Sequence, residues 1–336
     1  MFTMEDFLVE NLFVGEREAR IQAATELSKL SSKQRQKVAE KGVIVPLVSM
    51  LHSQDHEAIE AALFALLSLA FGSERNKILI VKSGVIPVLL ELLQCQSRTL
   101  IELSVAAMLI LSSCAANKLV IASSGAIQLL VGILNGVYDN DNYDSICTQT
   151  TLDVIATLHN LSTCHQIIPA IVSFGAVFIL LQLIHRSEKS SELAEKAMSL
   201  LENIASVSEY ALEEIAGTGG AIRALVEIIE EGSPQCKEHA VGILFLICQS
   251  CRERYRGLIL REGVMPGVLQ LSVDGTWRAK KRAQDLLLLL RDCSNSRGKP
   301  SKHERMEQIM QAIDSREEVE GTTLRLVEEM IAKLSI

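Results

Sequence analysis

The sequence predicts an all-α protein made of stacked helical repeats. Three observations support this prediction: a glycine phrase that recurs, helical spacing of apolar residues ahead of it, and a composition rich in aliphatic side chains. Of the 336 residues, 48% are hydrophobic but only 4% are aromatic, and there are six prolines. This composition suits helices packed by aliphatic side chains, and it excludes disordered and collagen-like chains. A length above roughly 250–300 residues also favours two domains or a repeat array over one compact core.

The recurring phrase consists of a glycine, a small residue, an aliphatic residue and a leucine-rich run. Its successive intervals are 42, 41, 50, 45 and 43 residues, which are too long for tetratricopeptide or ankyrin repeats. The six copies begin at Gly42, Gly84, Gly125, Gly175, Gly220 and Gly263. Because only glycine turns sharply at a helix end without steric cost, each phrase predicts the end of one helix and the start of a short second one.

A longer helical run precedes each of the later glycines. Small or aliphatic residues recur along it at helical spacing, as in Ala62, Leu63, Leu66 and Leu69. This stripe is wide enough to be buried against two neighbours. A single unit would leave the stripe in water, at a cost of roughly 25 cal/mol for each Å² of apolar surface, so the units are expected to stack.

Two of the phrases resemble the armadillo repeat. The residues that carry the resemblance are Asn76-Lys77-Ile78 with Ser83-Gly84-Val85-Ile86-Pro87, and Asn117-Lys118 with Ser124-Gly125-Ala126-Ile127. The closing segment 275–291, with its Trp-Arg-Ala-Lys-Lys-Arg run and its leucines, is similar to the last repeat of plant U-box/armadillo proteins. The resemblance implies an armadillo-repeat, right-handed superhelical solenoid. Most members of that family carry a U-box, which recruits a ubiquitin-conjugating enzyme, ahead of the repeats.

We predict four segments along the chain: a capping helix at 1–14, six to seven armadillo repeats with their caps at 15–293, a linker at 294–302, and amphipathic helices within 303–336. The 50-residue interval contains an insertion at 135–144, which predicts an acidic surface loop; a binding loop is the alternative. The C-terminal helices are expected to cap the repeat stack, and binding of a partner or of a second copy is the alternative.

No motif supports catalysis, so we predict a protein that is not an enzyme and has no cofactor or metal. Cys248 and Cys251 have the spacing of a redox pair or of half a zinc site. No second pair accompanies them, and Cys248 falls on the predicted buried stripe. The glycine-rich segment 217–220 lacks the strand and the spacing of a dinucleotide fingerprint.

The composition also bears on location and partners. The first residues lack the basic, apolar pattern of a secretory signal, and the longest apolar stretch, 61–71, is too short to span a bilayer. Eight irregularly spaced cysteines suit a reducing compartment. We therefore expect a cytoplasmic protein without an integral membrane segment, and a nuclear location stays open.

Charge argues against nucleic acid as a general partner, since the formal net charge is -8. The region from Arg252 to Arg305 nevertheless holds 13 basic and 6 acidic residues. This local excess is expected to attract an acidic protein segment or an anionic membrane face, and a simple solvated surface is the alternative. RNA binding would require more aromatic residues for base stacking.

Positions 0, 3 and 7 of each long helix lie opposite its buried stripe, and the armadillo resemblance implies that they line a concave groove. The predicted contacts are Phe64, Ser68, Leu103, Ile110, Asp153, Asn160, Lys196, Asn203, His239, Arg282 and Asp285. The middle positions hold no tryptophan, so the binding of basic nuclear-localisation peptides, as in importin alpha, is not predicted. The two asparagines suit hydrogen bonds to a peptide backbone, or equally to neighbouring helix ends.

These features together predict a non-catalytic scaffold or adaptor that binds an extended segment of another protein in the groove. The alternative, which follows from the resemblance, is a substrate-recognition arm that acts in protein ubiquitination together with a separate U-box or RING-type ligase. A third hypothesis is a structural scaffold that self-associates through residues 303–334.

Overall fold

The computed structural model describes residues 4–139 and 147–291. These residues form 20 α-helices and two short 3-10 turns, and they contain no β-strand. The all-α prediction is therefore confirmed. The chain divides into two compact units, Met1–Leu183 and Ile184–Ile336.

In the first unit, two shorter helices lie between each long helix and the next. The helix bounds are α1 (Met4–Val14), α2 (Arg17–Ser28), α3 (Ser32–Glu40), α4 (Ile44–Leu51), α5 (His56–Ala70), α6 (Glu74–Lys82), α7 (Val85–Leu92), α8 (Arg98–Ser112), α9 (Lys118–Ser123), α10 (Ala126–Asp139), α11 (Thr148–Ser162) and α12 (Ile168–Ser173). The long helices α2, α5, α8 and α11 pack side by side in that order, and the shorter helices α4, α7 and α10 each pack against the long helix that follows. Within the segment 1–14, for which a capping helix is predicted, α1 contacts α2, α3 and α4.

The second unit continues the same pattern after α13 (Ala176–Arg186), which contains the boundary between the units. Its helices are α14 (Glu192–Val207), α15 (Glu209–Gly217), α16 (Ala221–Glu231), α17 (Pro234–Ser250), α18 (Arg252–Arg261), α19 (Met265–Asp274) and α20 (Trp277–Leu290). Here α14, α17 and α20 are the long helices, and they too pack side by side. Among the described residues, no single helix has the length and apolar character of a membrane span, although two bent helix pairs meet that test jointly.

The long helices bury the predicted stripe almost completely. In α5 the side chains of Leu63, Leu66 and Leu69 are buried, and the corresponding positions of α14 hold the buried Met198, Leu201 and Ile204. At the N-termini of the long helices in unit 2, Ser191, Ser233 and Thr276 accept a hydrogen bond from the backbone N–H three residues further on. This contact satisfies one of the amide groups that a helix start leaves unpaired.

The asparagines of the armadillo-like phrases bind the ends of long helices. The buried Asn76 donates its side-chain amide to the carbonyl of Leu69 near the end of α5, at 2.8 Å. Asn117 donates in the same way to Leu111 near the end of α8, at 3.2 Å, and also to Lys77 of the preceding repeat, at 3.2 Å. Helix ends leave carbonyl groups unpaired. These contacts therefore give a physical reason why the asparagine has the same spacing from the glycine in both phrases.

All six phrase glycines adopt the left-handed conformation, with φ between 77° and 91°. Gly84, for example, stands directly before α7 with φ of 84°. The prediction that these residues turn the chain between helices is confirmed. Side chains other than glycine pay a steric cost in this region of backbone space.

The prediction of a loop at 135–144 is wrong for its first part. Residues 135–139 belong to α10, which continues to Asp139. Residue propensities are a weak prior that tertiary context overrides, and here the helix runs past the buried Leu134 instead of ending at Asn135. Residues 140–144 lie outside the described residues, as do the predicted linker at 294–302 and the C-terminal segment 303–336.

The replacement Gly84→Ala is expected to lower the free energy of unfolding by about 1–2 kcal/mol, because alanine resists a left-handed backbone. An added Cβ would meet no atom within 4 Å, so the cost lies in the backbone alone. The control is Gly132→Ala in α10, where the added methyl group also meets nothing and the backbone is helical. This control is expected to gain up to about 1 kcal/mol. Urea unfolding of both variants tests the pair, and equal stabilities would contradict the assigned role of Gly84.

Candidate protein-binding groove

The unit 1 groove face is the surface of α5, α8 and α11 that carries the predicted contact positions. Its largest accessible side chain is Phe64, which is 50% exposed although its neighbours Leu63 and Ala65 are buried. Leu103 and Ile110 on α8 are partly exposed. The face therefore presents apolar side chains to solvent in the middle of otherwise well-packed helices.

The polar positions of the unit 1 groove face also join neighbouring helices. Ser68 donates its hydroxyl to the carbonyl of Ser28 at 3.0 Å, and Arg35 donates to the Ser68 carbonyl at 2.6 Å. Asn160 donates its side-chain amide to the hydroxyl of Ser112 at 3.1 Å and to the Leu109 carbonyl at 3.4 Å. Of the two roles that the sequence left open for Asn160, pairing with a neighbouring helix end is the one that these contacts provide.

Asp153 belongs to the same face, and its carboxylate accepts a hydrogen bond from Gln149 at 2.8 Å, one turn earlier on α11. The side chain is partly exposed. It therefore adds an accessible acidic side chain to the α11 part of this face.

The unit 2 groove face is the corresponding surface of α14, α17 and α20. Lys196 on α14 is exposed, and Asn203, two turns further on, is partly buried. His239 on α17 and Arg282 and Asp285 on α20 are partly exposed. This face is thus more polar than its counterpart in unit 1, as the sequence indicates.

Glu202, which the sequence did not single out, directly precedes the groove residue Asn203 on α14. It is only 8% exposed. Its Oε2 atom lies 2.6 Å from Nδ1 of His239, and its Oε1 atom forms an ion pair with Nη1 of Arg282. A carboxylate this deeply buried is tolerated only when its oxygens are paired, and the two contacts provide that pairing.

The ion pair crosses a whole helix. Glu202 belongs to α14 and Arg282 to α20, and the helix between them, α17, has Gly242 where the two side chains meet. A Cβ atom on Gly242 would lie 2.6 Å from both Nη1 of Arg282 and Oε1 of Glu202. The missing side chain therefore makes room for the bridge, which links three successive long helices.

A sequence signal for Glu202 did exist. The residues at its position in other long helices are Leu67, Leu109, His159, Phe245 and Leu288, and Glu202 alone is acidic. A carboxylate at a largely apolar position indicates a partnered buried charge, yet it does not reveal the partners. Those are 37 and 80 residues away in the chain.

The positions of Cys248 and Cys251 agree with a structural role in place of a redox or zinc-binding one. Cys248 is buried on the stripe of α17, as predicted, while Cys251 is exposed, and both are free thiols. Burial raises the pKa of the Cys248 thiol, which disfavours the reactive thiolate. Within the ranges 4–139 and 147–291, no three His, Cys, Asp or Glu side chains are grouped so that they could hold a metal ion.

Models of known protein families match most of this repeat region. Residues 110–305 match the model described as the plant U-box protein ARM repeat region, and residues 73–113 match the armadillo/beta-catenin-like repeat. The chain belongs to the plant U-box protein ARM repeat family. This membership confirms the resemblance carried by the glycine phrases and the closing segment.

Curated relatives of this ARM repeat protein include U-box domain-containing protein 45 of Arabidopsis thaliana, which is 31% identical over 73% of this chain and 30% of the relative. U-box domain-containing protein 4 of Oryza sativa subsp. japonica is 32% identical over 43% of this chain and 19% of the relative. The chain thus spans less than a third of the length of these two relatives.

Solved structures show the same fold. The crystal structure of one engineered protein superposes with a TM-score of 0.72 and 20% identity, over 97% of this chain and 77% of that chain. A second engineered protein superposes with a TM-score of 0.63 and 23% identity, over 74% of this chain and 97% of that one.

The replacement Gly242→Ala is expected to lower the free energy of unfolding by about 1–2 kcal/mol, because the new methyl group displaces the Glu202–Arg282 pair and leaves a buried charge without its partner. The gain in helix propensity offsets part of this loss. The control is Gly257→Ala in α18, where an added Cβ meets no atom within 4 Å. Thermal and urea unfolding of both variants provide the measurement. A Gly242→Ala protein that matches the Gly257→Ala protein in stability would rule out the bridge.

Proposed function

We propose that this ARM repeat protein is a non-catalytic scaffold or adaptor that binds an extended segment of another protein along the groove faces of its long helices. The observation that carries the proposal is the accessibility of one face on consecutive long helices, with Phe64 half-exposed on α5 in unit 1. Membership of an armadillo-type family supports it, because stacked repeats build extended binding surfaces.

The two faces would make different contributions to such a complex. In unit 1, Phe64, Leu103 and Ile110 offer apolar contacts, and large aromatic residues are frequent anchors at protein interfaces. In unit 2, the accessible groups are polar and charged, and these suit hydrogen bonds and ion pairs that fix the position of the bound chain. Asn203 remains a proposed contact for a partner backbone, and Asn160, whose amide nitrogen binds Leu109 and Ser112, would contribute its side-chain oxygen.

A second function follows from the names of the relatives. Both relatives described above are U-box domain-containing proteins, and the part of them that this chain matches is the repeat region. This chain would then act in protein ubiquitination as the substrate-recognition arm of a separate U-box or RING-type ligase. The binding step would be the same as in the first proposal, and only the fate of the captured protein would differ.

The replacement Phe64→Ala is expected to reduce partner capture about tenfold or more, as the loss of an interface anchor does. The matched control is Phe178→Ala in α13, because Phe178 has a similar exposure, 46% against 50%, but lies outside the long helices. Quantitative mass spectrometry of proteins captured from native cells by the parent and by each variant provides the measurement. A Phe64→Ala protein that captures every partner as well as the parent does would contradict the groove assignment.

The two proposed functions predict different results in a reconstituted ubiquitylation reaction. The chain with activating enzyme, conjugating enzyme and ubiquitin alone is expected to form no ubiquitin chains. Addition of a U-box or RING-type ligase should modify a captured partner only when this protein is present, if the second function holds. Autonomous chain formation would contradict both functions, and modification that does not depend on this protein would contradict the second.

A further inference from the structure

One position of the long helices is basic throughout unit 2. The first of the three groove positions holds Lys196 on α14, His239 on α17 and Arg282 on α20. In unit 1 the same position holds Ala61 on α5, Leu103 on α8 and Asp153 on α11. The unit 2 groove face therefore carries a row of basic side chains that the unit 1 groove face lacks.

Arg282 uses only one end of its guanidinium group inside the protein. Nη1 forms the ion pair with Glu202 and also lies 3.5 Å from the carbonyl of Glu238. No described residue accepts a hydrogen bond from Nε or Nη2, and the side chain is 31% exposed. These two nitrogens form the edge of a guanidinium that binds a carboxylate through two parallel hydrogen bonds.

Glu202 holds this edge in a fixed place. Its two oxygens bind Arg282 and His239, so the long arginine side chain lies across α17 at Gly242 instead of extending freely into solvent. A guanidinium that is already ordered loses less conformational entropy when it binds a second carboxylate. Glu202 and Arg282 compensate each other's charge, but the carboxylate is the more deeply buried member of the pair, so the groups that stay accessible to a partner are the N–H donors of the guanidinium.

Lys196 adds a second positive charge to the same face. Its side chain is exposed, and among the residues that the structure describes it forms no ion pair. It stands six residues before Glu202 on α14, the helix whose carboxylate holds the Arg282 guanidinium. Asp285, on the next turn of α20, occupies the second groove position. The basic side chains are therefore limited to the first groove position.

We propose that the unit 2 groove face selects an acidic extended segment of a partner protein, whose carboxylates bind the Nε and Nη2 edge of Arg282 and the ammonium group of Lys196. This inference rests on the proposed function, and it names the chemistry of the segment bound. Lys196 and Glu202, whose carboxylate holds the guanidinium, are six residues apart on α14, a rise of roughly 9 Å at about 1.5 Å per residue, and an extended chain rises roughly 3.3 Å per residue. Acidic residues two to three positions apart therefore match the two basic groups.

The test uses two fluorescein-labelled dodecapeptides, one of alternating serine and glutamate and one of alternating serine and lysine. Fluorescence anisotropy with the full chain is expected to show binding of the glutamate peptide and weaker binding, or none, of the lysine peptide. The replacement Lys196→Ala is expected to weaken binding of the glutamate peptide about three- to tenfold, since it removes one interfacial ion pair. The control is Arg223→Ala, which removes one positive charge from α16, outside the groove face.

A double variant, Glu202→Gln with Arg282→Gln, removes the guanidinium without leaving Glu202 as an unpaired buried charge. This double variant is expected to weaken binding of the glutamate peptide about tenfold or more. A thermal melt shows whether it folds, and Lys196→Ala gives an independent answer because that side chain is exposed. Equal effects of Lys196→Ala and Arg223→Ala, or tighter binding of the lysine peptide, would overturn the inference.

Failure of this inference differs from failure of the proposed function. If the glutamate peptide does not bind while Phe64→Ala still abolishes partner capture, the scaffold function stands and the acidic chemistry is wrong. If both Phe64→Ala and Lys196→Ala leave capture unchanged, the groove function itself is wrong.

Discussion

The structure depends on one constraint: a single repeat cannot bury the apolar stripe of its own long helix. Leu63, Leu66 and Leu69 of α5 are buried because α2 lies on one side of that helix and α8 on the other. Every long helix therefore needs neighbours of the same kind. Side-by-side packing uses most of the helix surface and leaves one narrow face accessible, so the feature that stabilises the fold also creates the surface available for binding.

The connections between repeats follow from the same constraint. Long helices can pack in register only if each chain reversal has the same geometry, and the left-handed glycines provide it. Asn76 and Asn117 then bind carbonyl groups near the ends of α5 and α8, which ties each reversal to the helix before it. In unit 2, the Glu202–Arg282 bridge spans three long helices and adds a charged element to a face that unit 1 builds from apolar side chains.

The fold was predictable from the sequence because it depends on local requirements that only certain residues meet. A reversal that needs a left-handed backbone demands glycine, so six glycines at regular intervals reveal the repeat. The groove positions were predictable as positions, but the contacts of their side chains were not. The bonds of Asn160 to α8 and of Arg282 to Glu202 join residues 48 to 80 positions apart. They also depend on how neighbouring helices are aligned, which a local pattern does not show. The continuation of α10 past Asn135 was likewise hidden, because the residues there are turn-forming ones.

The most direct test of the central claim is side-chain footprinting by hydroxyl radicals on the full chain, alone and bound to its captured partner. Phe64 on α5 and Phe178 on α13 have similar exposure in the free protein and belong to different surfaces. Binding of a partner along the groove faces is expected to reduce oxidation of side chains on the long helices, Phe64 among them, and to leave the oxidation of Phe178 unchanged. Protection of Phe178 together with undiminished oxidation of Phe64 would contradict it.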